Sequence, residues 1–274
     1  MIENIRRRAQ SALSWSILIA FQMIVTSWID AALINTMHAQ ARPYTKTESS
    51  LEGGVHWRCK TPRGPLHIWI PPGYTRASAG VVVYVHGYHV NVDQAWRSFQ
   101  LAKQFRKSRQ NALFIAPEAP DGPNKKVNWD TLTDLRQAIR NCNIRMPNGS
   151  WIIMGHSAAY RTVRGWVDHS RIAQMILLDA LYSGQDDFQE FIETKGKKLI
   201  LISTETSERS HDFIKKIPFA VKRKRLPDTY EDFSRNQKRA RMLYIKSQYS
   251  HHNMIANQKV IPLILRITPL KLLL

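Results

Sequence analysis

Trp151-Ile-Ile-Met-Gly-His-Ser-Ala-Ala-Tyr160 is an apolar run that breaks at Gly155-His156-Ser157-Ala158-Ala159 and resumes as an amphipathic segment. The run has the length of one buried strand, and the break reads as a tight turn into a helix. A serine at the apex of such a turn stands at the carboxyl edge of a sheet with its hydroxyl exposed. The backbone N–H groups that follow it point to where an oxyanion would form. On Gly-x-Ser alone, a buried serine at an ordinary strand–helix junction fits equally well. The turn ends in Ala159 where a glycine is usual, and alanine is the smallest side chain that can replace it.

The neighbouring segments change that balance. Ala79-Gly-Val-Val-Val-Tyr-Val-His86-Gly87-Tyr88 is a β-branched run ending in His-Gly, the pattern of a buried parallel strand and a loop able to donate a backbone N–H. Ile172-Ala-Gln-Met-Ile-Leu-Leu-Asp179 is a second buried strand, and it ends in an acid. Lys198-Leu-Ile-Leu-Ile202 leads to another acid, Glu205, and Arg241-Met-Leu-Tyr-Ile-Lys-Ser247 is followed closely by His251 and His252. Strands alternating with helices imply a mostly parallel sheet covered on both faces. Right-handed crossovers then place the ends of all these strands on one rim, where ligands of open α/β sheets bind.

Serine, then acid, then histidine, each just past a strand, resembles the α/β-hydrolase superfamily across nearly all of the chain after its first forty or so residues. The resemblance implies an α/β fold, a serine-hydrolase triad and no cofactor or metal. Ser157 would be the nucleophile, and the backbone N–H groups of Tyr88 and Ala158 would form the oxyanion hole, shaped by Gly87. Two roles have two candidates each. Leu178-Asp179-Ala180 is similar to lipases that carry their acid after the sixth strand, while Glu205 follows the seventh. An unpaired carboxylate at the end of an apolar strand would be costly, which favours Asp179. His251 has Met254 three residues on, where a helix can dock, and is favoured as base over His252. His86 and His156 read as orienting or packing residues.

The rest of the chain fits one domain over 42–274. Residues 42–53 are polar and read as loose, and Val55–Lys60 with Leu66–Ile70 reads as a hairpin. The spacing predicts helices over 92–108, from Trp129 to Cys142, over 158–168, over 186–194 and from about 253, with 207–240 less regular. Nothing after residue 41 is long enough for a large lid. The two cysteines, Cys59 and Cys142, lack C-x-x-C spacing and read either as a disulfide or as two buried thiols. No H-E-x-x-H, Walker loop or G-x-G-x-x-G occurs, so metalloprotease, phosphoryl-transfer and dinucleotide chemistry have no support.

Arg6-Arg7-Arg8, the apolar stretch 14–28 and Ala39-Gln40-Ala41 form a secretory-signal layout, so residues 1–41 are expected to be a signal peptide and the mature chain exported. An uncleaved signal anchor is the alternative. The 274 residues carry 40 Lys and Arg against 21 Asp and Glu, a net charge of +19. Basic residues concentrate in 215–241, including Lys222-Arg-Lys-Arg225 and Lys238-Arg239. A solvated face is the plain reading; an anionic envelope polymer or phospholipid surface is the partner such a face would meet. Aromatics for base stacking are not interleaved, so no specific nucleic acid binding is expected. Because Arg241 precedes its strand, that end of the segment is expected on the rim away from Ser157. The expected substrate is a small or envelope-presented acyl group, cleaved as a carboxylic ester; a peptidase, an amidase or a silent binding module of the same fold stays open.

Overall fold

Six nearly continuous apolar runs, too long in unbroken hydrophobicity for a half-exposed sheet, form the buried centre of a ten-stranded sheet. Residues 43–273 are described by a computed structural model. The proposed signal segment lies outside the described residues. Among the described residues, no helix is long and apolar enough to cross a membrane.

The strands are β1 (Thr45–Leu51), β2 (Gly54–Lys60), β3 (Leu66–Ile70), β4 (Gly80–Val85), β5 (Ala112–Pro117), β6 (Trp151–His156), β7 (Ile172–Leu178), β8 (Lys198–Ser203), β9 (Ala220–Arg223) and β10 (Met242–Lys246). Their order is β1-β2-β3-β5-β4-β6-β7-β8-β10-β9. The first three strands pair antiparallel with one another, and β3 pairs antiparallel with β5. The strands from β5 to β9 run parallel. Because successive side chains of a strand point to opposite faces, each buried strand supplies two cores. Val81, Val83 and Val85 of β4 join one apolar cluster, while Val82 and Tyr84 join the other.

The helices are α1 (Val92–Ser98), α2 (Leu101–Ser108), α3 (Leu132–Asn141), α4 (Tyr160–Val163), α5 (Gln185–Glu193), α6 (Ser207–Lys215), α7 (Arg235–Arg239), α8 (Asn253–Ala256) and α9 (Val260–Leu265). Phe188 and Phe213 of α5 and α6 belong to the first cluster. Phe105 and Ile264 of α2 and α9 belong to the second, so helices cover both faces.

Three expectations are corrected. Residues 45–51, read as loose, form β1, whose polar side chains stay exposed while its backbone pairs with β2 through every residue. An edge strand with no apolar period leaves no hydrophobic signal, and charge on such an edge is its protection against pairing with other chains. The helix expected over 92–108 is broken at Gln100, whose backbone is left-handed (φ 49°). Gln104 holds the break by donating from Nε2 to the carbonyls of Phe99 and Ile255 at 2.7 and 2.8 Å. The irregular 207–240 contains α6, β9 and α7. Cys59 and Cys142 are buried free thiols in one core cluster.

Candidate active site

The strand order reverses at β4, whose neighbours are β5 on one side and β6 on the other. Loops at such a switch point diverge and leave a crevice beyond the carboxyl ends. Val85 is in register with Gly155, so the loops following β4 and β6 emerge side by side. A Cβ added to Gly87 would lie 2.6 Å from the Ser157 Cβ and 3.1 Å from its Oγ. Only glycine lets the Gly87-Tyr88 backbone approach the serine so closely.

Ser157 has a φ of 58°, in the left-handed region that a side chain other than glycine enters at a cost. The same sharp turn brings Gly155 against Ala159: a Cβ at Gly155 would meet that methyl at 3.2 Å. Glycine at 155 therefore leaves room for the alanine methyl at the end of the turn. His86 Nδ1 lies 2.8 Å from the Gly87 carbonyl oxygen. That carbonyl and the Tyr88 N–H belong to one peptide unit and point in opposite directions. Holding the carbonyl thus aims the N–H. The Tyr88 N–H makes none of the hydrogen bonds formed among the described residues, while the Tyr88 hydroxyl accepts from Arg161 Nη1 at 2.5 Å. Arg161 also donates to the carbonyls of Gly122, Pro123 and Lys125, fastening the loop after β5 over Tyr88.

Asp179, directly after β7, is fully buried and also left-handed, with φ 47°. Its Oδ2 lies 2.7 Å from His251 Nδ1. The remaining lone pairs accept from the N–H groups of Thr204, Glu205 and Thr206 and from the Thr206 hydroxyl, at 2.7–3.1 Å. Burial opposes ionisation, but His251 and these donors hold the carboxyl well below the usual carboxylate range. Glu205 stands further off, its Oε2 3.7 Å from the same nitrogen with its side chain 61% exposed. It accepts instead from the Tyr182 hydroxyl at 3.2 Å. His252 packs edge-on against Phe99.

Burial pulls the His251 ring down, yet the hydrogen bond and charge of Asp179, with Glu205 behind them, raise it above its ordinary value of 6.5. His156 packs its ring against His251 with centroids 4.5 Å apart and donates from Nε2 to the His251 carbonyl at 3.1 Å. Burial, with the neighbouring His251 charge, pushes His156 down to about 3. It is a neutral wedge that fixes His251. Ser157 Oγ makes no hydrogen bond with His251 among the described residues. Thr206 and Arg161 were missed from sequence. Thr204-Glu-Thr206 directly after a strand end was the only available signal for the first, and nothing local marked the second.

The ligand atoms of Asp179, Glu205 and His251 fall within 4.8 Å of one another. The two Asp179 oxygens already take five hydrogen bonds against about four lone pairs, which leaves none to offer a cation.

A second histidine cluster bears on stability. His56 Nε2 is 2.9 Å from His67 Nδ1, and His67 Nε2 is 2.7 Å from Asp93, itself clamped by Arg58. Burial pushes His67 down to about 4. An unfolded chain protonates such rings near pH 6.5, so between about 6.5 and 4 it binds protons that native His67 and His156 refuse. Native stability must therefore fall as pH falls through that window, by about 1.4 kcal/mol per unit for each group. His251, whose pKa is raised, has the opposite sign, but its effect falls above pH 6.5, where stability is lost as pH rises, and so lies outside this window. Thermal melts by circular dichroism should show a markedly lower Tm at pH 5 than at pH 7; an unchanged or higher Tm would contradict these assignments.

No family model and no curated protein matches the chain. Solved structures do. S-formylglutathione hydrolase from Agrobacterium tumefaciens is similar at a TM-score of 0.52 and 10% identity, over 81% of this chain and 97% of that one. The S-formylglutathione hydrolase FrmB of Staphylococcus aureus gives 0.50 and 10%, over 81% and 98%. At such identity the likeness establishes architecture, and it agrees with the strand order and the rim described above: this chain has the α/β-hydrolase fold.

Proposed function

We propose that the chain is an exported serine hydrolase that cleaves a carboxylic ester through an acyl-enzyme. The observation that carries the reading is the 2.7 Å Asp179–His251 pair set beside a left-handed serine turn. Asp179 accepts from Nδ1–H, which leaves Nε2 free of its proton and able to take one. His251 Nε2 removes the Ser157 proton as Oγ attacks the ester carbon. The tetrahedral oxyanion is held by the N–H groups of Tyr88 and Ala158. The imidazolium then protonates the departing alkoxide, leaving Ser157 acylated. Water, deprotonated by the same nitrogen, attacks the acyl carbon and releases the acid, returning the proton to Oγ. Hydrogen bonds between nucleophile and base are often long until the transition state draws them in, which accommodates the present separation of Ser157 from His251.

A panel of p-nitrophenyl esters of rising chain length, with matched p-nitroanilides, tests the reaction class. Short esters should be turned over and anilides should not; faster anilide cleavage would make the chain an amidase. Because the base must be neutral, activity should rise with pH through a limb above 6.5, and Glu205→Gln should move that limb toward lower pH by removing one of the charges that raise His251. A limb that does not move would separate Glu205 from the base.

Export rests on the residue 1–41 layout, and sequencing the mature amino terminus should find Arg42 first. The basic segment 215–241 is proposed as a tether to an anionic envelope surface. Its two ends face different rims: Arg241 immediately precedes β10, whereas Arg223, Lys224 and Arg225 lie at the carboxyl end of β9.

A further inference from the structure

The amino-terminal rim of the sheet holds a cavity of about 350 Å³ lined by Arg76, Arg136, Arg140, Arg145, Arg171 and Trp151. Trp151 opens β6, so the cavity sits at the opposite end of that strand from Ser157. The five arginines come from four places in the chain. Arg136 and Arg140 are one turn apart on α3, Arg76 precedes β4, Arg145 follows α3 and Arg171 precedes β7. Like charges one turn apart destabilise a helix, and Arg76, Arg145 and Arg171 bring three more cations to the same cavity.

Elsewhere the protein pairs arginines with acids: Arg58 with Asp93, Arg63 with Asp134 and Arg164 with Asp187. None of the cavity arginines meets a carboxylate among the described residues. Arg76, Arg140 and Arg145 make no side-chain hydrogen bond there at all, and Arg171 reaches only the Asn148 carbonyl at 3.3 Å. Two donors in the lining are buried without an acceptor, Arg136 Nε and Trp151 Nε1, and Trp151 is 1% exposed. Buried donors of this kind cost free energy until something accepts from them. Burial, then the charges of Arg171 and Arg140, lower the Arg136 guanidinium from its ordinary range, which reports the same crowding of positive charge.

The chemistry that answers all three features is one compact group carrying more than one negative charge and several acceptor oxygens. A single carboxylate neutralises one arginine, whereas a phosphate ester brings about two charges and three oxygens, and guanidinium forks bind it in bidentate fashion. The volume is at the small end of ligand sites, fit for a headgroup or a small metabolite. We infer that this cavity binds a phosphomonoester or diphosphate group, at a site separate from the hydrolytic rim.

The test uses the full chain and does not depend on ester hydrolysis. Titration calorimetry with inorganic pyrophosphate at fixed ionic strength should give saturable binding near one site per chain, with a raised Tm. The double variant Arg140→Gln/Arg171→Gln should weaken it at least tenfold and leave p-nitrophenyl ester turnover unchanged. Without ligand the double variant should melt no lower than the parent, since it removes repulsion, so loss of binding would not reflect misfolding. Lys224→Gln/Lys238→Gln, in the separate basic segment, should bind pyrophosphate as the parent does. Sedimentation with phosphatidic acid vesicles distinguishes the source: capture that disappears in the arginine variant indicates a lipid headgroup, and pyrophosphate binding without capture indicates a soluble phosphate compound. Absence of saturable binding to both probes, or equal losses in the arginine and lysine variants, would overturn the proposal and reduce the cavity to diffuse positive charge.

Discussion

Replacing Asp179 by asparagine should lower ester turnover by up to about 10⁴-fold while the chain stays folded. The carboxylate accepts from His251 Nδ1 on one side and from the Thr204–Thr206 segment on the other. Asparagine keeps one acceptor oxygen, which can stay with Thr204 and Thr206. Its amide nitrogen then faces His251 and donates to Nδ1, so the ring's proton moves to Nε2 and the base can no longer accept from Ser157. The Glu205 N–H also loses its acceptor, a penalty of about 1–3 kcal/mol that a domain of this size should survive. Glu205→Gln, at 3.7 Å and largely exposed, should change turnover only slightly at saturating pH. Steady-state kinetics of both variants, with far-ultraviolet circular dichroism as the folding control, decides between them. Equal and mild losses would mean that neither carboxylate orients the base.

Gly87→Ala should lower turnover by about 10²–10³-fold, the usual consequence of losing one oxyanion donor. The new methyl would stand 2.6 Å from the Ser157 Cβ, closer than carbon atoms can approach, and neither neighbour can yield freely. The serine is fixed by its left-handed turn, and the Gly87 carbonyl is held by His86. The loop carrying the Tyr88 N–H must therefore retreat. A loss confined to KM, with turnover intact, would place this loop in substrate binding instead.

The sequence made the central sheet and the neighbourhood of the site legible for one reason. Buried parallel strands are continuous apolar runs, and the chain order of Ser157, Asp179 and His251 past such runs reads directly from them. What stayed hidden depends on contacts between distant segments. Ser49, His56, His67 and Arg58 come together across β1, β2 and β3 only through strand register, which no local pattern reveals. The polar edge strand β1 carries no hydrophobic period, and the break at Gln100 depends on a glutamine reaching carbonyls 5 and 151 residues away. Asp179 and Glu205 differ by one ångström in their approach to His251 Nδ1, a difference that no local pattern encodes.

Labelling of the purified chain with a fluorophosphonate, followed by peptide mass spectrometry, tests the central claim most directly. One adduct per chain is expected, on Ser157, and Ser157→Ala should abolish it together with ester turnover while the melting curve stays essentially as in the parent. An adduct on another residue, or undiminished labelling of the Ser157→Ala variant, would contradict the account.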